Sequence, residues 1–229
     1  MRLLNRWTVG KQLTEPHLNE DAAKADSPKG IFVISDGASE SFASRRWARV
    51  LVKHYARRPV IDADWLTQAI GEYAAVFDRE SMSWSAQAAY DRGSFATLLG
   101  VQFDPDGVLI LGVGDSLAVL DDGVEIRATF PYCEPRQFRT NPLLLSTIPD
   151  RNAVILGADN STRWNVEGVE APKIYCMTDA IGAWLLSARV ERMNRLRMLQ
   201  NRREFVALVE TARADGTMRR DDTTLLVIG

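Results

Sequence analysis

Short apolar runs broken by turn-forming sequences dominate the chain, and their spacing separates strands from helices. Residues 31–35 form an apolar, β-branched run stopped by Asp36-Gly37, which predicts a buried strand ending in a turn. From Ser39 onward Ala43, Trp47, Val50, Leu51, His54 and Tyr55 recur at helical spacing, with Ser39 and Ser41 as candidate N-caps and Pro59 past the end. A second helix is predicted from about 64 to 77. Four strands follow, at 94–103, 108–112, 117–120 and 124–129, separated by the turn sequences Asp-Pro-Asp-Gly, Gly-Asp and Asp-Asp-Gly. Residues 131–168, with prolines, asparagines and no clean period, read as an irregular, flap-like insertion. Residues 174–177 predict a buried strand leading to Asp179, helical patterns cover 181–190 and about 203–212, and residues 223–228 read as a last strand. Tight turns between successive strands impose antiparallel pairing, and the helices that interrupt them place the chain in the α+β class, as sheet packed on sheet with helices outside.

Composition narrows the functional classes. A chain of 229 residues with 46% hydrophobic content can bury one large core, so a single domain over 1–229 is expected. No stretch approaches the roughly 18 apolar residues of a membrane span, and the first ten residues are too short and mixed for a secretory signal, so a cytoplasmic protein is expected. Cys133 and Cys176 are too few for a disulfide framework or a zinc site and are expected as free thiols. Lys plus Arg number 28 against 30 Asp plus Glu, and the net charge of -2 lacks the basic footprint of a nucleic-acid binder.

The acids sit in a repeated context. Asp36 and Asp179 each follow an apolar strand, Asp115 sits in a Gly-Asp-Ser turn, and Asp221-Asp222 precedes the last strand. Carboxylates converging at sheet ends without basic partners repel one another, so such a cluster is stable chiefly around divalent cations, and all-oxygen ligation selects Mg²⁺ or Mn²⁺. Taken singly, each acid reads equally well as a turn residue or helix cap.

The ordered set of motifs is more specific: Asn19-Glu20-Asp21-Ala22, Phe32 to Ala38, Gly93-Ser94-Phe95-Ala96-Thr97, Val113-Gly114-Asp115-Ser116, Met177-Thr178-Asp179-Ala180 and Asp221-Asp222-Thr223-Thr224. In this order, from Asn19 almost to the last residue, the chain resembles the bacterial type 2C serine/threonine protein phosphatases. The resemblance implies a four-layer αββα sandwich of two antiparallel sheets, with two Mg²⁺ or Mn²⁺ ions between the sheets and at times a third. It implies that Asp36 bridges both metals, that the Gly37 carbonyl binds one, and that Asp179 and Asp221 complete the coordination of the second metal. Glu20 and Asp21 would act through bound waters, Asp115 with Asp179 would hold a third ion, and Asp222, where relatives have Asn, would support rather than ligate. The implied reaction is hydrolysis of phosphoserine or phosphothreonine in a protein phosphorylated by a serine/threonine kinase, by a metal-activated water and without a phosphoenzyme.

The sequence departs from that pattern twice. The arginine expected three residues before Asn19 to grip the phosphate is Pro16, and the acid expected four residues after Asp179 is Ala183. Helical side chains lean toward the N-terminus, so Arg46, flanking the apolar stripe, is the first candidate for a substitute grip, followed by Arg45, His17 and Lys11. The missing arginine also keeps an alternative open, a catalytically weak phosphoprotein-binding module on the same fold. Phe103-Asp104-Pro105-Asp106-Gly107-Val108 matches the phosphoaspartate motif of haloacid-dehalogenase phosphatases, with Asp104 as nucleophile, yet the strand resuming at Val108 favours a hairpin turn. The Cys133 to Arg139 spacing resembles a cysteine phosphatase loop, but Pro135 has no N–H to offer phosphate and Glu134 would repel it. His17 and His54 lack a partner at ligand spacing and read as structural.

Overall fold

A computed structural model describes residues 1–229. In chain order its elements are β1 (Leu3–Val9), β2 (Ala22–Asp26), β3 (Ile31–Ser35), α1 (Ser44–Arg57), α2 (Ala63–Ala74), α3 (Trp84–Arg92), β4 (Phe95–Ala96), β5 (Leu98–Asp104), β6 (Gly107–Val113), β7 (Leu117–Asp121) and β8 (Ile126–Phe130). They continue with β9 (Leu145–Ser146), α4 (Ala153–Leu156), β10 (Ser161–Trp164), β11 (Lys173–Met177), α5 (Asp179–Ser187), α6 (Arg189–Arg197), α7 (Arg202–Ala214) and β12 (Thr223–Ile228). One sheet has the order β1-β12-β11-β7-β8 and the other β10-β6-β5-β3-β2, with every pair antiparallel, and β4 and β9 form a small ladder of their own.

The uninterrupted apolar runs follow from burial on both faces. Successive strand residues point to opposite sides of a sheet. Thus Ile31 and Val33 of β3 pack with α1 and α2, whereas Phe32 and Ile34 enter the core between the sheets. In β12, Leu225 and Val227 pack under α5 and α7, while Leu226 and Ile228 face the other sheet. Three stacked cores therefore define four layers, helix on sheet on sheet on helix. Close approach is locked in at Gly100 of β5, where a Cβ would lie 2.2 Å from the Tyr55 ring of α1, so any side chain there would lift the helix off the sheet.

Several elements differ from the pattern-based expectation. α1 starts at Ser44, after Ala43 in the left-handed region at φ 48°, and has no side-chain cap. Ser41 is committed elsewhere, donating to the Ala38 carbonyl and accepting from the Phe95 N–H. Residues 94–103 divide at Thr97 into β4 and β5, and α2 is capped by Asp62, whose side chain accepts from the Trp65 N–H. Residues 131–168 contain an ordered strand, β10, paired with β6 in register Trp164↔Val108.

Candidate metal centre

Register places the motif acids at one edge of the sandwich. Ala22 pairs with Ser35, so Asp21 and Asp36 are neighbours, one entering β2 and the other leaving β3. Leu98 pairs with Val113, which brings the β6–β7 turn and Asp115 beside the end of β3. On the facing sheet Met177 pairs with both Leu117 and Leu225, so Asp179, at the start of α5, and Asp221, before β12, reach the same edge.

Hydroxyls and glycines fix this edge. Thr97 Oγ1 accepts from the Asp36 N–H at 2.9 Å and contacts Ser116 Oγ at 2.9 Å, while Ser35 Oγ donates to the Thr97 carbonyl at 2.6 Å. Gly37 lies against α1, where a Cβ would sit 2.9 Å from the Ser44 carbonyl carbon. Gly114 has φ 98°, which turns the chain so that Asp115 follows directly.

Asp36, the Gly37 backbone, Asp115, Asp179 and Asp221 line one cavity of about 500 Å³, together with Lys11 and Arg219 and with Asn141, Pro142 and Leu144 at its rim. Glu20 lines an adjoining cavity that shares Lys11 and Ser39, and its carboxylate accepts from Ser44 Oγ. Asp21 accepts from Thr224 Oγ1 at 2.6 Å, and Asp222 uses both carboxylate oxygens on the backbone N–H groups of Lys11 and Glu20, at 2.6 and 2.7 Å.

The electrostatics follow from crowding. Burial, then the charges of Asp21, Asp115, Asp221 and Asp222, hold Asp36 well above the usual carboxylate range. Asp21 is pushed up to about 7, mainly by burial, with Asp222 and Asp221 adding to it against the Thr224 hydroxyl. Asp115 is raised by burial, with Arg219 opposing. Oδ1 of Asp21 and Oδ1 of Asp179 are buried with no hydrogen-bond donor. Hard oxygen donors crowded together, two of them without a hydrogen-bond donor, suit a divalent cation. The acids do not close on a common point as a finished ligand cage. Arg219 donates through Nη2 to Asp179 and places Nε 3.2 Å from Asp221 Oδ2, with Lys11 Nζ 4.0 Å from Asp221 Oδ1.

The expected phosphate grip lies elsewhere. Arg46 turns to the end of α2, donating to the Glu72 and Tyr73 carbonyls at 3.1 and 3.4 Å, with its guanidinium 5.9 Å from the centre of the Phe77 ring. Arg45 donates to the backbone carbonyl of His17, whose exposed side chain stays outside both acid-lined cavities. The two arginines instead line a separate concavity with Arg49 and Lys53. His54 bonds Glu72 at 3.0 Å and ties α1 to α2. The basic residue that sequence reasoning missed is Arg219. Its signal was position, two residues ahead of Asp221.

The sequence matches no protein-family model and no curated protein. Solved structures match along nearly its whole length. The Ser-Thr phosphatase MsPP of Mycobacterium smegmatis, in complex with cacodylate, is 18% identical, covering 100% of this chain and 99% of its own at a TM-score of 0.56. The serine/threonine phosphatase PstP of Mycobacterium tuberculosis is 14% identical over 98% of this chain and 97% of its own, with a TM-score of 0.59. The catalytic domain of PstP has also been solved with two manganese ions. PppA, a key regulatory component of T6SS in Pseudomonas aeruginosa, is 16% identical over 99% and 97%, with a TM-score of 0.57. At such identities the likeness carries the fold: the chain has the fold of the bacterial type 2C, or PPM, phosphatases.

Proposed function

We propose that the chain is a metal-dependent phosphatase that releases phosphate from phosphoserine or phosphothreonine in proteins. The observation that carries this reading is the convergence of Asp36, Asp115, Asp179, Asp221 and the Gly37 backbone on one cavity, with partnerless buried carboxylate oxygens beside it. Asp36, the Gly37 carbonyl, Asp179 and Asp221 would hold two Mn²⁺ or Mg²⁺ ions, and Asp115 with Asp179 a third. When bound, such ions supply Lewis acidity that activates a water for attack on phosphorus and neutralises the phosphate. Asp21 and Glu20 flank the site and would order waters, Thr97 and Ser116 hold the backbone that carries Asp36, and Asp222 fixes the Lys11 and Glu20 segments. Asn141, Pro142 and Leu144 form the wall that a phosphoprotein would approach. No helix is long and apolar enough to cross a membrane. The substrate in this reading is a cytoplasmic phosphoprotein, the product of a serine/threonine kinase.

The test is hydrolysis of para-nitrophenyl phosphate and a phosphothreonine peptide with Mn²⁺ and with EDTA. Turnover that needs Mn²⁺ and stops with chelator is expected, and chelator-resistant turnover would sink the reading. One observation favours a second reading, a phosphoprotein-binding module: the guanidinium of Arg219 seated on Asp179 and Asp221. That reading expects the phosphopeptide to bind with no phosphate released.

A further inference from the structure

Arg219 alone among the cations touches both Asp179 and Asp221, and it lines the cavity that Asp36 and Asp115 also line. The contact is incomplete, because Asp179 Oδ1 stays buried without a donor. It is also loosely held. The Arg219 side chain is 54% exposed, and these carboxylates are its hydrogen-bond and ion-pair partners. Arg213 makes the contrast, with its side chain fully buried and bonded to the Gly10 and Asp221 carbonyls and to Thr223. The backbone near Arg219 is nevertheless pinned: Met218 is buried, and the Asp221 carbonyl is held by Arg213. A side chain free to swing on a fixed backbone stays within reach of the cavity wherever its guanidinium points.

Charge decides where it points. A half-exposed ion pair is weak, whereas a doubly charged hard cation takes carboxylate oxygens strongly. A guanidinium released beside a phosphate finds a planar pair of oxygens that matches its fork. We propose that Arg219 is a displaceable internal counter-ion, holding Asp179 and Asp221 while no divalent cation is bound, expelled by that cation, and then gripping the phosphate of the substrate. This rests on the metal-dependent reading of the site.

The experiment titrates full-length wild type, Arg219→Gln and Arg219→Lys with Mn²⁺ by calorimetry, then titrates the Mn²⁺-loaded proteins with inorganic phosphate. Arg219→Gln is expected to bind Mn²⁺ at least tenfold more tightly, about 1.4 kcal/mol, and phosphate at least tenfold more weakly. Arg219→Lys keeps the charge and should stay within a few-fold of wild type for Mn²⁺. A residue that merely supports the fold would move both affinities down together, so the opposite signs are the signature. In EDTA, Arg219→Gln should also melt lower, because two carboxylates lose their counter-ion. If wild type binds Mn²⁺ and Arg219→Gln binds it no more tightly, or phosphate affinity is unchanged, the inference falls and the metal reading stands. If Mn²⁺ binds only after Arg219→Gln, Arg219 blocks the site and is not displaced by the ion, and the inference falls. If neither protein binds Mn²⁺, both fall.

Discussion

Asp36 and Asp104 are both aspartates at a strand end of the same sheet, and the structure gives them opposite lives. Ile31 pairs with Gln102, so Asp104 lies at the β5–β6 hairpin beside the start of β3, while Asp36 leaves the other end of β3, a strand length away. Asp104 is answered by Arg163 at 2.6 Å, and that hydrogen bond, with the Asp106 N–H, holds its carboxyl below the usual range. Asp36 has no cation paired with it and is surrounded by burial and like charge, which hold it well above. The same residue type in the same turn context is a surface anchor at one end and a buried carboxyl crowded by other acids at the other. The difference lies in what the fold brings near, not in the local sequence.

The largest effect should come from breaking one member of each pair. Asp36→Asn is expected to lower kcat/KM by more than about a hundredfold, since even outer partners of metal ligands cost about 10–100-fold. Asp104→Asn should stay within a few-fold, because only a surface ion pair is lost. The reverse ranking would revive Asp104 as a nucleophile. Steady-state kinetics with para-nitrophenyl phosphate decides it.

A smaller effect sharpens the electrostatic side. The native state holds protons on Asp21 up to about 7, whereas an unfolded Asp releases them near 4. The native protein therefore binds more protons than the unfolded chain across that window. Stability in EDTA should be full at the acid end and fall as pH rises toward 8. Acids with lowered pKa values, such as Asp62, Asp91 and Asp104, are ionised throughout and add no slope there. Saturating Mn²⁺ should raise the melting temperature by several degrees at pH 8, since ligand at about 100 times Kd adds about 2.7 kcal/mol, and should flatten the slope. Melting curves at pH 5 and 8, with and without Mn²⁺, test this; parallel curves would mean that the cluster does not bind the ion.

The smallest expected change is at Arg46. Arg46→Ala should cost about 1 kcal/mol of stability through lost carbonyl hydrogen bonds and leave KM unchanged. A tenfold rise in KM would return Arg46 to the site.

Much of this was legible in one dimension. β3, β7, β11 and β12 announce themselves because burial on both faces makes them continuous apolar runs bounded by turns. β2 does not: Ala-Ala-Lys-Ala-Asp has little strand propensity and pairs because β3 lies beside it. α3 buries no residue and so shows no apolar stripe, and β10 is a short edge strand whose only partner is β6. The acids were readable from order and context. The direction of the arginines was not, since a helical wheel shows which face carries Arg46 but not that α2 supplies carbonyls to receive it. Arg219 escaped notice because nothing in its neighbourhood along the chain hints that Asp179, forty positions earlier, will be within a hydrogen bond.

β1 has one partner, β12, and Trp7 lies opposite Leu225. A strand whose only neighbour is so distant in sequence cannot be zipped by local turns, and long-range pairing of this kind slows folding through the entropy of loop closure. The same late closure carries Asp221 and Asp222 to Lys11 and Glu20. Any intermediate lacking the β1–β12 pair would leave Trp7 and Val9 out of the core under α5 and α7, and the Lys11 and Glu20 segments untied from Asp222. Burial of Trp7 would then report completion of folding, arriving after the far-ultraviolet signal of the strands and helices has already returned.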